Sequence, residues 1–145
     1  MIRFEKEAIE SMVRHLEDAF PNEGCGFIYG KTNSDEKLVY QAVPVINVKQ
    51  GDQRRRFEIS PLDYMKAERY AISNGLELLG VYHSHPQHPA IPSEHDLKQA
   101  VPVFSYPILS IQDGRFDYIR SWYLDDNASF TEETISINEP IPLTK

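Results

Sequence analysis

The segment Val81-Tyr82-His83-Ser84-His85-Pro86 constrains this chain more than any other. It follows an apolar run, Leu76, Leu78, Leu79 and Val81, of the kind that makes a buried strand. Residues two apart on a strand point to the same face, so His83 and His85 are expected to converge on one point. The prolines at 86, 89 and 92 interrupt regular structure until Ser93, which stands where a helix N-cap belongs and puts Asp96 in the first helical turn. A carboxylate there can reach back toward the two imidazoles. Two histidines and one carboxylate form a three-ligand set suited to zinc in a catalytic site, where the fourth position stays open for water. One Zn2+ per chain, held by His83, His85 and Asp96, is the expectation.

The remainder of the chain reads as support for that segment. Residues 4–20 carry Ile9, Met12, Val13, Leu16 and Phe20 at the spacing of one helical face, and the helix should stop at Pro21-Asn22. Residues 25–29 make a short core strand closed by Gly30, and 31–36 a turn. A second strand over 38–48 contains Pro44, which removes a ladder donor and points to an edge or a bulge. The polar loop 49–56 is expected to be mobile, and Phe57-Glu58-Ile59 to form a brief strand. Ser60-Pro61-Leu62-Asp63 combines a cap, a proline at the first helical position and an acid three after the cap. That helix should run to Asn74-Gly75 with Leu62, Met65 and Ile72 on its buried side. A short helix from Ser93 ends near Pro102, and strands over 104–111, 116–124 and 129–137 alternate with turns at Asp113-Gly114 and Asp125-Asp126-Asn127. The order gives an α/β fold with one mixed, mostly antiparallel sheet flanked by helices, in a single domain over 1–137 followed by an irregular tail at 138–145.

Composition narrows the function. With 145 residues, 41% of them hydrophobic, there is material for one sizeable core. A net charge of −7 disfavours binding to nucleic acid through phosphate neutralisation. Arg54-Arg55-Arg56 is the one basic run, read as a solvated loop or as a clamp for an acidic partner. The single cysteine, Cys25, excludes an intramolecular disulfide and fits a reducing cytoplasm. Set inside an apolar strand with no adjacent cation, it reads as structural. Glu5, Glu7 and Glu10 occupy the place of a signal peptide's apolar core, and no apolar run approaches the roughly 20 residues of a membrane span. A cytoplasmic protein without membrane contact is expected.

His83-Ser84-His85-Pro86 followed by Ser93 and Asp96, with Glu23-Gly24-Cys25-Gly26 upstream, resembles the JAMM (MPN-plus) zinc metallopeptidase motif in its small stand-alone prokaryotic form. The resemblance extends from about residue 1 to 122 and implies the cytidine-deaminase-like JAMM/MPN fold. It implies that His83, His85 and Asp96 bind zinc, that Glu23 handles protons and that Ser93 assists at the oxyanion. A zinc-bound water would then attack the amide that follows a Gly-Gly-type tail of a ubiquitin-like or sulfur-carrier protein. Missing side chains allow such a tail to enter a narrow site beside a strand edge. Two other readings remain at this point: a hydrolase of small amides, and a non-catalytic scaffold of the same fold, which predicts a missing ligand or base. His88 and His95 are left out of the ligand set. The long insertions with which larger relatives hold a second ubiquitin are absent from the sequence.

Overall fold

The computed structural model describes residues 1–138. Its elements are β1 (Ile2–Glu5), α1 (Lys6–Ala19), β2 (Cys25–Asn33), β3 (Glu36–Val45), α2 (Pro61–Ser73), β4 (Glu77–Pro86), α3 (Glu94–Gln99), β5 (Ser105–Gln112), β6 (Arg115–Leu124), β7 (Phe130–Glu133) and β8 (Ile135–Asn138). The strands form one eight-stranded sheet in the order β7-β6-β5-β4-β2-β3-β1-β8. Pairing is antiparallel except for β1 with β3, β1 with β8 and β4 with β5. The mixed, mostly antiparallel sheet therefore matches the expectation.

Alternation along the strands supplies a core on each face. Ile28 and Tyr82 pack with Met12 and Leu16 of α1. Phe27 and Val81 turn the other way and pack with Ala67 and Ala71 of α2. His83 follows Val81 at the strand period, which puts it on the α2 face. No helix among the described residues is long and apolar enough to cross a membrane.

Several expectations are corrected. β1 is an added strand, too short for its alternation to register in the sequence, and α1 starts only at Lys6. Gly30 does not close β2. The strand continues to Asn33 through a register shift at Tyr29/Gly30, where a Cβ would lie 1.7 Å from the Leu38 carbonyl oxygen; the glycine serves close approach of two backbones. Phe57-Glu58-Ile59 forms no strand. Phe57 and Ile59 are buried, but the Glu58 carbonyl accepts from Val48 N–H outside any ladder. On α2 the caps are as expected: Ser60 Oγ accepts from Asp63 N–H, and Gly75 follows with φ +64°. Its buried side is not. Leu62, Met65 and Ile72 are exposed, and the helix meets the sheet through Ala67 and Ala71, whose small side chains let its backbone approach. The stretch expected as one strand over 129–137 is two, β7 and β8, joined through Thr134. β3 ends at Val45, and β1 pairs only with its Lys37–Val39 portion, so Pro44 lies where one flank of the strand is free. β8 ends on Asn138, and the irregular tail expected beyond Ile137 lies, from 139 on, outside the described residues.

Candidate metal centre

His83 and His85 sit at the carboxyl end of β4, between β2 and β5. The loop 87–92 carries the chain away and returns it at Ser93, the N-cap of α3. Two side chains of β6 hold that loop: Ala90 N–H donates to Tyr118 Oη, and Trp122 Nε1 donates to the Ala90 carbonyl. The helix start then aims Asp96 at the histidines.

Three atoms converge. His83 Nε2 lies 3.2 Å from His85 Nε2, and Asp96 Oδ2 lies 3.3 Å from the first and 3.1 Å from the second. All three residues are buried. His85 Nδ1 is 2.8 Å from the Pro89 carbonyl, a contact in which Nδ1–H donates, so that in the neutral ring Nε2 is the lone-pair nitrogen turned to the cluster. It faces a carboxylate oxygen and a second imidazole nitrogen. Three such atoms gathered at this distance share protons or a metal ion, and two imidazoles with a carboxylate are the donor set of a catalytic divalent metal. The residues therefore fit a metal ion. His83 Nδ1 is buried without a partner, and the Phe57 ring packs against the imidazole at 4.6 Å between centroids.

Electrostatics agrees with the geometry. Burial pushes His83 below its ordinary value, against the pull of Asp96, which favours the neutral imidazole that a metal ion requires. Burial alone would raise the Asp96 carboxyl, but His83, His85 and the Ser93 N–H outweigh it and hold the group well below the usual carboxylate range.

From the sequence, a ligand role for Asp96 predicts that α3 is capped incompletely or by another contact, and the structure corrects this. The capping box is complete: Asp96 N–H donates to Ser93 Oγ at 3.0 Å, and Ser93 N–H donates to Asp96 Oδ2 at 2.9 Å. A carboxylate has lone pairs enough for the box and for the histidines, and the Ser93 hydroxyl accepts in the box while keeping its own proton to donate. The two roles are compatible.

Glu23 lies on the approach to β2 and lines the same cavity of about 370 Å³ as His85 and Ser93. It is only 5% exposed, and its Oε1 has no hydrogen-bond partner among the described residues. Burial, followed by the charges of Asp96 and Asp52, pushes its carboxyl up to about 9. Its backbone is held from both sides: Glu23 N–H donates to the Gln53 carbonyl and Asn47 Nδ2 donates to the Glu23 carbonyl. The 49–56 loop is thus fastened to Glu23. Sequence reasoning missed Asn47, and it missed Ser84, which is fully buried between the two histidines and reciprocally bonded to Gly24. The signal was available in part: the middle residue of His-x-His faces away from the metal and must meet something else.

His88 and His95, the other two histidines of this region, stand outside the cluster. His88 is an exposed residue on the rim of the cavity, and His95 Nε2 lies 3.4 Å from the Phe57 carbonyl. Cys25 is buried beside Glu23, and burial pushes its thiol up to about 12.

Similarity to known proteins follows the same outline. A probable TtuB-protein conjugate cleaving protease of Thermus thermophilus is 35% identical over 63% of this chain, a match spanning 58% of that protein's length. A desampylase of Haloferax volcanii is 33% identical over 75% of this chain and 79% of its own. The CysO-cysteine peptidase of Mycobacterium tuberculosis is 29% identical over 92% of this chain and 88% of its own. Among solved structures, a JAB1/MPN domain protein from Archaeoglobus fulgidus shares the fold, with a TM-score of 0.58 at 15% identity, covering 94% of this chain and 99% of that one. A family model for prokaryotic homologs of the JAB domain matches residues 5–125, and the chain belongs to that family.

Proposed function

We propose that this chain is a zinc-dependent peptidase or isopeptidase, hydrolysing the amide after a Gly-Gly-type tail of a ubiquitin-like or sulfur-carrier protein. The observation that carries the reading is one cavity lined both by Glu23, whose buried Oε1 has no hydrogen-bond partner among the described residues, and by His85, which shares a three-atom convergence with His83 and Asp96. The names of the three relatives support the substrate class, since each refers to the cleavage of a conjugate or a small carrier. The domain extends over 1–137, and the free, buried Cys25 suits a reducing cytoplasm.

His83, His85 and Asp96 would hold the ion, which when bound would supply Lewis acidity that polarises a carbonyl and acidifies water. Glu23 is the proton carrier. In its buried position it keeps its proton up to about 9, as the acid that the leaving nitrogen needs, and a bound cation would favour the carboxylate that the base needs. Glu23 takes one proton from the attacking water and returns it to the leaving nitrogen, so the C–N bond is replaced by a new acid and a free amine. The Ser93 hydroxyl, held by its bond from Asp96 N–H, donates to the carbonyl oxygen as that oxygen gains charge, a contact of the kind worth about 10²- to 10³-fold in rate.

The test is mass spectrometry of a Gly-Gly sulfur-carrier protein with a C-terminal extension, incubated with the zinc-loaded chain and in parallel with Glu23→Gln. Cleavage after Gly-Gly by the first alone supports the reading. No cleavage with one zinc bound per chain removes the substrate class and turns the search to small amides.

A further inference from the structure

We propose that Arg55 selects the leaving group, its guanidinium receiving the free carboxylate of an amino acid joined through its α-amine to the carrier's Gly-Gly end. The inference rests on the amide-hydrolysis reading above and narrows it from conjugates in general to carrier–amino acid amides.

Arg55 lines the same cavity as Glu23, His85 and Ser93. Among the described residues lining it, Arg55 alone carries a permanent positive charge, on a chain whose net charge is −7. Its ion pair with Asp52 is loose, at 4.0 Å with the Arg55 side chain 78% exposed, so a second carboxylate can take its place at little cost.

The loop nevertheless holds the backbone around Arg55 in position. Asn47 Nδ2 donates to the carbonyls of Glu23 and Arg56, while Asn47 Oδ1 accepts from the N–H groups of Lys49 and Glu58. Gln53 Nε2 donates to the carbonyls of Asn47 and Lys49, and the Gln53 carbonyl accepts from Glu23 N–H. The segment bearing Arg55 is therefore fastened to the backbone of Glu23, which keeps the base of the Arg55 side chain beside the cavity while its exposed end is free to turn toward a ligand.

Chemistry decides what that cation recognises. When the released amine is an amino acid's α-amine, its carboxylate is two bonds from the scissile nitrogen and must lie beside the reacting atoms. A lysine ε-amine in a folded protein brings no such anion. A guanidinium fork matches a carboxylate with two parallel hydrogen bonds, a stronger and more directional contact than a neutral one.

The experiment compares a Gly-Gly sulfur-carrier protein extended by one alanine, as the free acid and as the C-terminal amide, using the zinc-loaded chain, Arg55→Ala and Arg55→Lys. The expected result is a kcat/KM preference for the acid of about 10-fold or more, carried mainly by KM and reduced to near unity in Arg55→Ala. Arg55→Lys should keep part of it, as a point charge without the fork. Equal cleavage of acid and amide by the unmodified chain overturns the proposal. A preference that survives Arg55→Ala also overturns it, because the carboxylate then meets another group. Cleavage of neither substrate removes the Gly-Gly carrier as substrate class, the reading on which this inference rests. The anion site is then judged by calorimetry with Gly-Gly-Ala and its amide: a preference for the acid that Arg55→Ala abolishes keeps Arg55 as a carboxylate receptor, and equal affinities discard it.

Discussion

Ser84 Oγ accepts a hydrogen bond from Gly24 N–H at 2.9 Å, and Ser84 N–H returns one to the Gly24 carbonyl at 3.1 Å. The residue between the two histidines is thereby locked to the residue after Glu23. The two histidines and Glu23, some sixty positions apart in sequence, are joined through this one pair of bonds.

Replacing Ser84 by alanine leaves Gly24 N–H buried without its side-chain acceptor. The expected loss of stability is about 1–3 kcal/mol by chemical denaturation. Turnover should fall while zinc content, read by atomic emission, stays near one per chain. Zinc loss as complete as in a ligand variant would mean that Ser84 supports the histidines rather than Glu23.

His85→Ala and Glu23→Gln should separate binding from turnover. The first removes one of the three convergent atoms and loses the metal in the presence of a competing chelator. The second keeps the metal and lowers kcat by about 10²-fold or more, the scale of general acid–base catalysis. Equal metal loss in both would make Glu23 a ligand.

The raised Glu23 carboxyl sets a pH dependence for the metal-free chain. Its ordinary value is 4.5 and its folded value about 9, so between these limits the native state binds more protons than the unfolded state. Stability from this group is complete below about 4.5 and falls as pH rises toward 9. Metal-free Glu23→Gln, which cannot ionise, should melt with the unmodified chain at pH 4 and several degrees above it at pH 9. A margin that does not change with pH would show that Glu23 is not the titrating group.

Cys25 serves packing. With the thiol pushed up to about 12 and fully covered, a thiol reagent at pH 8 should label it only in denaturant. Cys25→Ser should retain turnover if folded. A folded, metal-loaded but inactive variant would make the sulfur a participant.

What the sequence made legible follows from the range of each signal. Strand alternation placed His83 and His85 on one face, and the last proline before Ser93 placed Asp96, because both signals are local. Glu23 was different. Nothing near it in the chain distinguishes it from a turn carboxylate, and its position came from family resemblance alone; only the folded chain brings it into the cavity with His85. The buried face of α2 was misread because Leu62, Met65 and Ile72 are the large apolar residues, whereas the sheet accepts the helix through Ala67 and Ala71. Phe57 and Ile59 carry the alternation of a strand and its burial, yet the neighbouring backbone offers one hydrogen bond where a ladder needs several. β8 was unreadable as a separate strand because its partner, β1, lies at the opposite end of the sequence.

That last pairing has a kinetic side. β7 belongs to one end of the strand order and β8 to the other, yet only Thr134 separates them, so the sheet curls until its two margins are stitched by a single run of backbone. Ile2 meets Ile135 in that seam. The seam joins strands from the two ends of the described chain, and contacts of such long sequence separation raise the contact order, which predicts slower folding than a sheet of hairpins alone.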